Sequence, residues 1–228
     1  MSALQRLVGP AAPLLSPNIN TDVIAPLVRS GGNGQQPAGI RGEAELAQRL
    51  FGPWRYDSTG AERPEFVLNQ PPFRHARFII AGANFACGSS RETAATMLNA
   101  FGIRCVIAPS FGQIFHDNCF RNHMLPLVLA PDVVEHLGKL AAGGADFTLD
   151  LMSSVLLAPD GTVASISIPS FRREMLIRGA DEVEITLARS AEITVFQARA
   201  KQLRPWEWAL PGVADAGQRT AEKRSMDS

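Results

Sequence analysis

One short run of the sequence, Gly88-Ser89-Ser90-Arg91-Glu92, combines side chains that could bind and deprotonate an anionic substrate. It follows the apolar run Arg77 to Ala81, which predicts a buried strand. Helical spacing begins directly after it, and a helix N-terminus offers backbone N–H groups to an anion. Two hydroxyls and a guanidinium on the same turn add donors suited to a carboxylate. The segment predicts a carboxylate site, although a serine N-cap with Arg91 facing water fits the same spacing.

Three common motifs are absent from this run. It lacks the G-x-x-x-x-G-K-[ST] pattern of a P-loop and the G-x-G-x-x-G pattern of a dinucleotide site. It also lacks the second glycine of the G-x-S-x-G nucleophile elbow. A hydrolase serine would need a histidine beside it, and the spacing selects none of the four in the chain: His75, His116, His123 and His136.

The elements needed to position this run are predicted around it. Ser89 or Ser90 is the expected N-cap, with Glu92 completing a capping box, and the helix should end at Gly102. Strands and helices then alternate, which predicts a parallel sheet with right-handed crossovers. The expected strands are Arg77–Ala81, Arg104–Ala108 and 127–130, and the expected helices after Gly102 are 110–119 and 131–142.

The remaining segments frame this central block. Extended segments are expected at 4–8 and 11–15, a β-meander at 146–151, 154–158 and 163–168, and helices at 170–178 and 181–201. A domain over 1–205 with a flexible Gly-rich loop at about 30–39 is expected, followed by a disordered tail over 206–228. Arg172 and Arg173 are expected on a solvated helix face, with a lid over a bound anion as the alternative.

Composition excludes several classes of protein. Of 228 residues, 46% are hydrophobic and 19% charged, which is ordinary globular usage rather than that of a disordered chain. Lys and Arg number 22, as do Asp and Glu, so no net charge favours nucleic acid or an acidic membrane as partner. No apolar run approaches the about 18 residues of a membrane span.

The three cysteines, Cys87, Cys105 and Cys119, are too few and too widely spaced for a disulfide framework, and no pair has the spacing of a zinc or iron–sulfur site. They indicate reduced thiols in a cytoplasmic protein. A helix N-terminus could lower the pKa of the Cys87 thiol, but we favour a small buried side chain. No metal or cofactor is therefore expected on this chain.

The run Asn84 to Glu92 resembles the N-F-G-C-G-S-S-R-E-H-A signature of the aconitase superfamily's swivelling domain. The flanking residues resemble the 3-isopropylmalate dehydratase small subunits within that superfamily, over roughly residues 5 to 205. The matching segments are Asn20–Pro26, Leu50–Phe51, Trp54–Tyr56, Pro64–Asn69, Val106–Phe111, Ile114–Phe115, Asn118, Asn122–Pro126, Phe171–Arg173 and Gly179–Asp181.

The resemblance implies a fold and a reaction. The fold is an α/β, aconitase-type swivelling β/β/α domain with a mixed, largely parallel sheet flanked by helices. The reaction is dehydration and rehydration of a hydroxy-dicarboxylate, here interconversion of 2- and 3-isopropylmalate in leucine biosynthesis. A [4Fe-4S] cluster is expected on a separate large subunit, in a heterodimer or heterotetramer, where its open iron holds the leaving hydroxyl.

Residue roles carry over from the resemblance. Ser89 is the expected base, Arg91 the carboxylate clamp, and Ser90 a hydrogen-bonding partner of the substrate. Asp22 and Arg29 are the further expected substrate-binding residues, although Asn20-Thr21-Asp22 fits a plain Asx turn and Arg29 could face water.

Three departures from the family pattern are present. Thr93 replaces the usual histidine one turn into the helix, where we expect tolerance, and Ala86 replaces a glycine. The loop after Pro26, which helps to choose the substrate side chain in the family, lacks the expected motif. A homoaconitate- or methylmalate-type substrate therefore stays open beside isopropylmalate. Two other hypotheses compete with this one: a non-catalytic anion-binding module and a serine hydrolase.

Overall fold

The computed structural model describes residues 3–26, 42–88 and 92–208. Arg29, the predicted loop at 30–39, and Ser89, Ser90 and Arg91 lie outside the described residues. The chain divides into two compact units, Met1–Asp181 and Glu182–Ser228. The sheet and the segments that flank Ser89 to Arg91 belong to the first unit.

The first unit is built on one seven-stranded mixed sheet with the order β4-β3-β2-β1-β5-β6-β7. Strands β1 to β4 run parallel to one another. Strand β1 pairs antiparallel with β5, and β5, β6 and β7 form an antiparallel meander. The strands are β1 Arg6–Leu14, β2 Phe78–Ala81, β3 Cys105–Ala108, β4 Leu125–Val128, β5 Asp146–Asp150, β6 Val155–Leu157 and β7 Val163–Ser165. The predicted parallel block and meander are confirmed.

Two strand predictions need correction. The two extended segments expected at 4–8 and 11–15 are replaced by one strand, β1, which runs Arg6–Leu14. It continues through Pro10 because this residue takes part in the ladder as an acceptor: its carbonyl receives the Arg77 N–H at 2.9 Å. Strand β4 begins at Leu125, not at 127, because it lies at the edge of the sheet, where Pro126 is tolerated.

Nine α-helices are described. They are α1 Thr21–Ile24, α2 Glu43–Arg49, α3 Gly52–Arg55, α4 Thr93–Phe101, α5 Gln113–Arg121, α6 Pro131–Ala141, α7 Ser170–Arg178, α8 Glu182–Leu187 and α9 Ser190–Leu203. Short 3-10 turns occupy Val67–Asn69, Pro71–Phe73 and Pro205–Glu207. Helix α4 ends at Gly102 in the left-handed region, as its spacing predicts.

Two helix predictions also differ from the structure. Helix α5 begins at Gln113 rather than 110, because Ser110 is engaged in the preceding loop: its carbonyl accepts the Phe85 N–H at 3.1 Å and its hydroxyl accepts the Asn84 N–H at 2.8 Å. The single helix predicted over 181–201 is two helices, α8 and α9. Neither glycine nor proline marks that break in the sequence.

The sheet is packed on both faces. Strand β2 is buried along its whole length, and its side chains alternate between two hydrophobic clusters. Ile79 and Ala81 belong to the cluster that includes the buried face of α4, whereas Phe78 and Ile80 belong to the cluster that includes α6. Burial on both faces explains why β2 and β3 are continuous apolar runs in the sequence. The predicted α/β class with a mixed sheet flanked by helices is confirmed.

The described part of the second unit contains α8, α9 and the 3-10 turn at Pro205–Glu207. Of the tail predicted over 206–228, residues 206–208 are described and continue this unit, and the others lie outside the described residues. The domain limits predicted at 1–205 remain a prediction. Within the described parts of the chain, no helix is both long and apolar enough to cross a lipid bilayer.

Candidate functional site

The candidate site lies where β1, β2 and β3 end. These strands are parallel, so their carboxyl ends meet at one edge of the sheet, the usual place for ligands in open α/β sheets. Ser89, Ser90 and Arg91 belong to the connection that follows β2. Their own atoms lie outside the described residues, but Gly88 before them and Glu92 after them are described.

The three connections touch one another through their backbones. A Cβ atom on Gly82 would overlap the carbonyl oxygen of Leu15, after β1, and a Cβ on Gly112, after β3, would overlap the carbonyl oxygen of Ala86. Only glycine leaves room for these approaches. The loops are therefore held against each other on both sides of the connection that carries the predicted site.

Hydrogen bonds fix the same arrangement. Ala86 N–H donates to the Ile19 carbonyl at 2.7 Å, and Thr21 N–H donates to the Cys87 carbonyl at 2.9 Å. On the other side, Gly112 N–H donates to the Phe85 carbonyl at 2.9 Å. The backbone immediately before Ser89 is therefore paired with chain from both neighbouring connections.

The turn before Ser89 uses alternate left-handed residues. Asn84 and Ala86 each have φ of 56°, and Gly88 has φ of 103°. Glycine adopts such angles at little cost, whereas alanine is disfavoured there by about 1–2 kcal/mol. Ala86, which replaces the glycine of the family pattern, keeps the left-handed conformation and is held there by its bond to Ile19. This departure therefore leaves the turn intact.

Helix α1 brings Asp22 to the same edge. The Asn20 side chain accepts the Val23 N–H at 2.9 Å and caps the helix, so the predicted Asx-type turn is present. The Thr21 hydroxyl oxygen lies 3.5 Å from the position that a Cβ on Gly88 would take. Asp22, the next residue, is exposed in the first turn of α1. The structure thus places the element that carries Asp22 next to Gly88.

The predicted capping box is wrong. Helix α4 begins at Thr93, with Glu92 at the N-cap position, and the Glu92 side chain makes no capping hydrogen bond. Its Oε1 instead accepts a hydrogen bond from the Asn122 side-chain amide at 3.1 Å. The capping-box pattern predicted that the Glu92 carboxylate would accept a hydrogen bond from a serine N–H. It accepts one instead from Asn122, at the end of α5.

Asn122 is the residue whose role the sequence does not reveal. Its side-chain oxygen accepts the Thr96 hydroxyl at 3.1 Å, its Nδ2 also donates to the Asn118 carbonyl at 3.0 Å, and its own carbonyl accepts Asn99 Nδ2 at 2.8 Å. Together with the bond to Glu92, this network ties both ends of α4 to the C-terminal end of α5. A polar residue just after a helix gives no pattern from which such a contact could be predicted.

We expect Asn122→Ala to lower the free energy of unfolding by about 1–3 kcal/mol, because Thr96 and Glu92 lose a partner. Asn122→Asp should destabilise the chain more than Asn122→Ala at neutral pH, because the new carboxylate faces that of Glu92 and repels it. Urea unfolding of the two variants measures both effects, with exposed Ser165→Ala as the control. A smaller loss for Asn122→Asp than for Asn122→Ala would contradict the contact with Glu92.

The predicted roles of the histidines and cysteines can now be compared with their surroundings. His136 lies 3.0 Å from Asp160 and His116 lies 3.8 Å from Asp117, and neither pair adjoins Gly88 in the chain. Cys87 is half-buried rather than buried as expected, and its Sγ lies 3.6 Å from the Asn18 carbonyl oxygen. Burial raises the pKa of the Cys105 and Cys119 thiols, which therefore stay protonated and unreactive.

The same cysteine and histidine side chains, together with the carboxylates, decide whether this chain could hold an iron–sulfur cluster. Two of the three cysteines are buried, and across residues 3–26, 42–88 and 92–208 no three His, Cys, Asp or Glu side chains are grouped to hold a metal ion. A cluster of this type needs several thiolates at one point. The described residues do not fit a resident cluster.

Arg172 does not lie on a solvated face as expected. Its guanidinium lies 5.0 Å above the centre of the Phe120 ring, and its Nη2 is 3.6 Å from an Asp117 oxygen. Arg173 donates to the Ser154 hydroxyl at 2.9 Å. Both arginines of α7 are therefore engaged in packing within the first unit, because a flat guanidinium stacks well on an aromatic ring.

Comparison with known proteins places these features in a family context. The sequence model of the aconitase C-terminal domain matches residues 29–132. The 3-isopropylmalate dehydratase small subunit of Rhodospirillum centenum is 44% identical over 88% of this chain and 96% of its own length. That of Cereibacter sphaeroides is 43% identical over 90% of this chain and its whole length.

A solved structure agrees at the level of the fold. The crystal structure of a 3-isopropylmalate dehydratase from Methanocaldococcus jannaschii superposes with a TM-score of 0.54 and covers 85% of this chain and 98% of that one. At 23% sequence identity this likeness shows the fold alone. It confirms the aconitase-type arrangement of the sheet.

Proposed function

Because the chain belongs to the family of 3-isopropylmalate dehydratase small subunits, we propose that it interconverts 2- and 3-isopropylmalate together with a large subunit, as a step of leucine biosynthesis. The chain is the small subunit of a hydro-lyase. The observation that supports a catalytic role for it is the convergence of three connections on Gly88, directly before Ser89. A helix start alone would not require the close backbone contacts that Gly82 and Gly112 make with the neighbouring loops, where a Cβ atom would not fit.

We assign the proton transfer to Ser89. Dehydration removes a proton from a carbon next to a carboxylate, together with a hydroxyl from the neighbouring carbon. As an alkoxide, Ser89 could accept that proton and return it on the other carbon during rehydration. Such a base needs nearby positive charge and N–H donors, which Arg91 and the N-terminal turn of α4 would provide.

The other substrate contacts follow from charge and position. Arg91 would hold a carboxylate through two parallel N–H···O bonds, and Ser90 would donate a hydrogen bond to the same group. Asp22 would accept a hydrogen bond from the substrate, since α1 lies beside Gly88. Arg29 would meet the second carboxylate.

The iron–sulfur cluster is proposed to reside on the large subunit, because the described residues of this chain do not form a site for it. The active complex would be a heterodimer or a heterotetramer of small and large subunits. A cytoplasmic location is proposed because Cys87, Cys105 and Cys119 are free thiols, and free thiols are typical of proteins in a reducing compartment.

Reconstitution tests this proposal. The purified chain alone should not dehydrate any malate derivative, and adding an iron–sulfur large subunit should produce turnover of 2-isopropylmalate above that of homoaconitate or methylmalate. Absorbance of the unsaturated intermediate measures the rate. Preferred turnover of another hydroxy-dicarboxylate would correct the substrate, whereas ester hydrolysis by the lone chain would replace the proposal with a hydrolase.

A further inference from the structure

A polar cavity lies at the amino ends of β2 and β3, opposite the carboxyl ends where the candidate active site lies. It has a volume of about 470 Å³ and is lined by Glu43, Arg77, Asn99, Ala100, Gly102, Arg104 and His123. Arg77 directly precedes β2 and Arg104 directly precedes β3, so the cavity lies at the amino ends of these strands. Gly88 follows the carboxyl end of β2, and the cavity is thus separate from the candidate active site. Its volume lies within the usual range for small-molecule sites.

The lining carries an excess of positive charge. Among the described residues of the lining, Arg77 and Arg104 contribute two guanidiniums, whereas Glu43 is the one acidic residue. Arg104 is 8% exposed, and its pKa is lowered by burial and by the positive charge of Arg77. The two cations are thus close enough to repel each other. A multivalent anion between them would relieve this repulsion.

Arg77 differs from the exposed arginines nearby. Arg74 pairs with Glu62, and Arg178 pairs with Glu174. Within the described part of the chain, no carboxylate lies within ion-pair distance of Arg77, although this residue is half-buried. Its alkyl chain packs on Gly9, and its Nη1 lies 3.5 Å from the position of a Cβ on Gly102. The side chain is therefore held in place with its charged end at the cavity.

Arg104 is likewise fixed by the fold. Its Nε donates to the His123 carbonyl at 3.1 Å, and its backbone N–H donates to the Arg77 carbonyl at 2.9 Å. Asn99, on the last turn of α4, lines the same space, and its Nδ2 donates to the Asn122 carbonyl at 2.8 Å. A cavity whose cations are held by backbone contacts is organised before a ligand arrives, which lowers the entropic cost of binding.

We propose that this cavity binds a small multivalent anion through carboxylate or phosphate oxygens, with Arg77 as the principal ligand and Arg104 as the supporting charge. Glu43 opposes binding by its negative charge and restricts the site to ligands with more than one charge. This site is independent of the proposed dehydratase function, because it uses none of the residues assigned to that reaction.

Titration of the isolated full-length chain tests the site. Inorganic phosphate and succinate, each at constant ionic strength, show whether the cavity prefers phosphate or carboxylate oxygens. We expect one of them to shift the backbone amide resonances of Gly102 and Arg104 in a saturable manner. Arg77→Gln should weaken this binding at least about 10-fold, which corresponds to about 1.4 kcal/mol. Glu43→Gln should strengthen it several-fold.

Controls separate this cavity from the candidate active site. Arg74→Gln removes a nearby exposed arginine and should leave the affinity unchanged, as should Arg91→Gln, which disables the proposed carboxylate clamp. Where Arg77→Gln lowers the melting temperature, Arg77→Lys keeps the charge but loses the fork and should still weaken binding. Loss of binding in Arg91→Gln, unchanged binding in both Arg77 variants, or no saturable shift with either anion would overturn the proposal.

Discussion

Replacing Ser89 with alanine should lower kcat of the reconstituted complex by about 10²–10⁴-fold, the usual contribution of a positioned general base. The change removes the hydroxyl that takes the proton and leaves the backbone N–H groups of the turn in place. The value of KM should change little, because carboxylate binding is assigned to Arg91. Steady-state rates on 2-isopropylmalate measure both constants.

Assembly must be measured alongside the rate. Gel filtration with the large subunit should show the same complex for Ser89→Ala as for the natural chain, since Gly88 and Glu92 keep their contacts with neighbouring elements. Ser165→Ala, an exposed serine on β7, is the matched control and should be fully active. Turnover of Ser89→Ala at the natural rate would remove this hydroxyl from the mechanism.

Arg91→Lys should be the second most damaging change. Lysine keeps the positive charge but offers a single point of contact, so one of two parallel hydrogen bonds to the carboxylate is lost. A hydrogen bond to a charged group contributes about 1.5–3 kcal/mol, which corresponds to a fall of about 10- to 150-fold in kcat/KM. We expect KM to rise, because the carboxylate is held in the substrate as well as in the transition state.

The matched control for this variant is Arg178→Lys. Arg178 is exposed on α7, where it pairs with Glu174 four residues before it, and lysine can replace it in that pair. Its kinetic constants should equal those of the natural chain. If Arg91→Lys also kept the natural KM and kcat, Arg91 would not be the clamp.

The strands that carry the sheet could be predicted from the sequence because they are buried on both faces. Residues 78–81 and 105–108 are uninterrupted apolar runs, and Gly102 marks the end of α4. Such runs leave few alternatives once turn residues flank them. The order of the elements then follows from the handedness of the crossovers.

Contacts between distant residues could not be predicted in this way. Glu92 fits a local capping box, yet its carboxylate accepts a hydrogen bond from Asn122, thirty residues along the chain. Arg172 looks solvated by its neighbours in sequence, yet it packs on Phe120. In both cases a long polar side chain contacts a different element of the fold, through a hydrogen bond or by stacking. The spacing of residues within one segment does not indicate such a contact.

The roles of Ser89, Ser90 and Arg91 stay a prediction, and that prediction rests on a motif. The run around Ser89 resembles a family motif, and this resemblance assigns roles to individual residues. The spacing of the residues alone would also fit a simple N-cap. What the structure adds is the surroundings of that run: the paired backbones of Ile19, Ala86 and Gly112, and the position of α1 with Asp22. The two glycines at the loop contacts are the sequence signal that could have indicated this convergence.

The most direct measurement is the structure of the assembled complex with 2-isopropylmalate bound. We expect the Ser89 hydroxyl to lie about 3–3.5 Å from the carbon that loses its proton. We also expect the Arg91 guanidinium to lie about 2.7–2.9 Å from the substrate carboxylate. A Ser89 hydroxyl packed inside the protein and facing neither substrate nor partner subunit would contradict the assignment of Ser89 as the base.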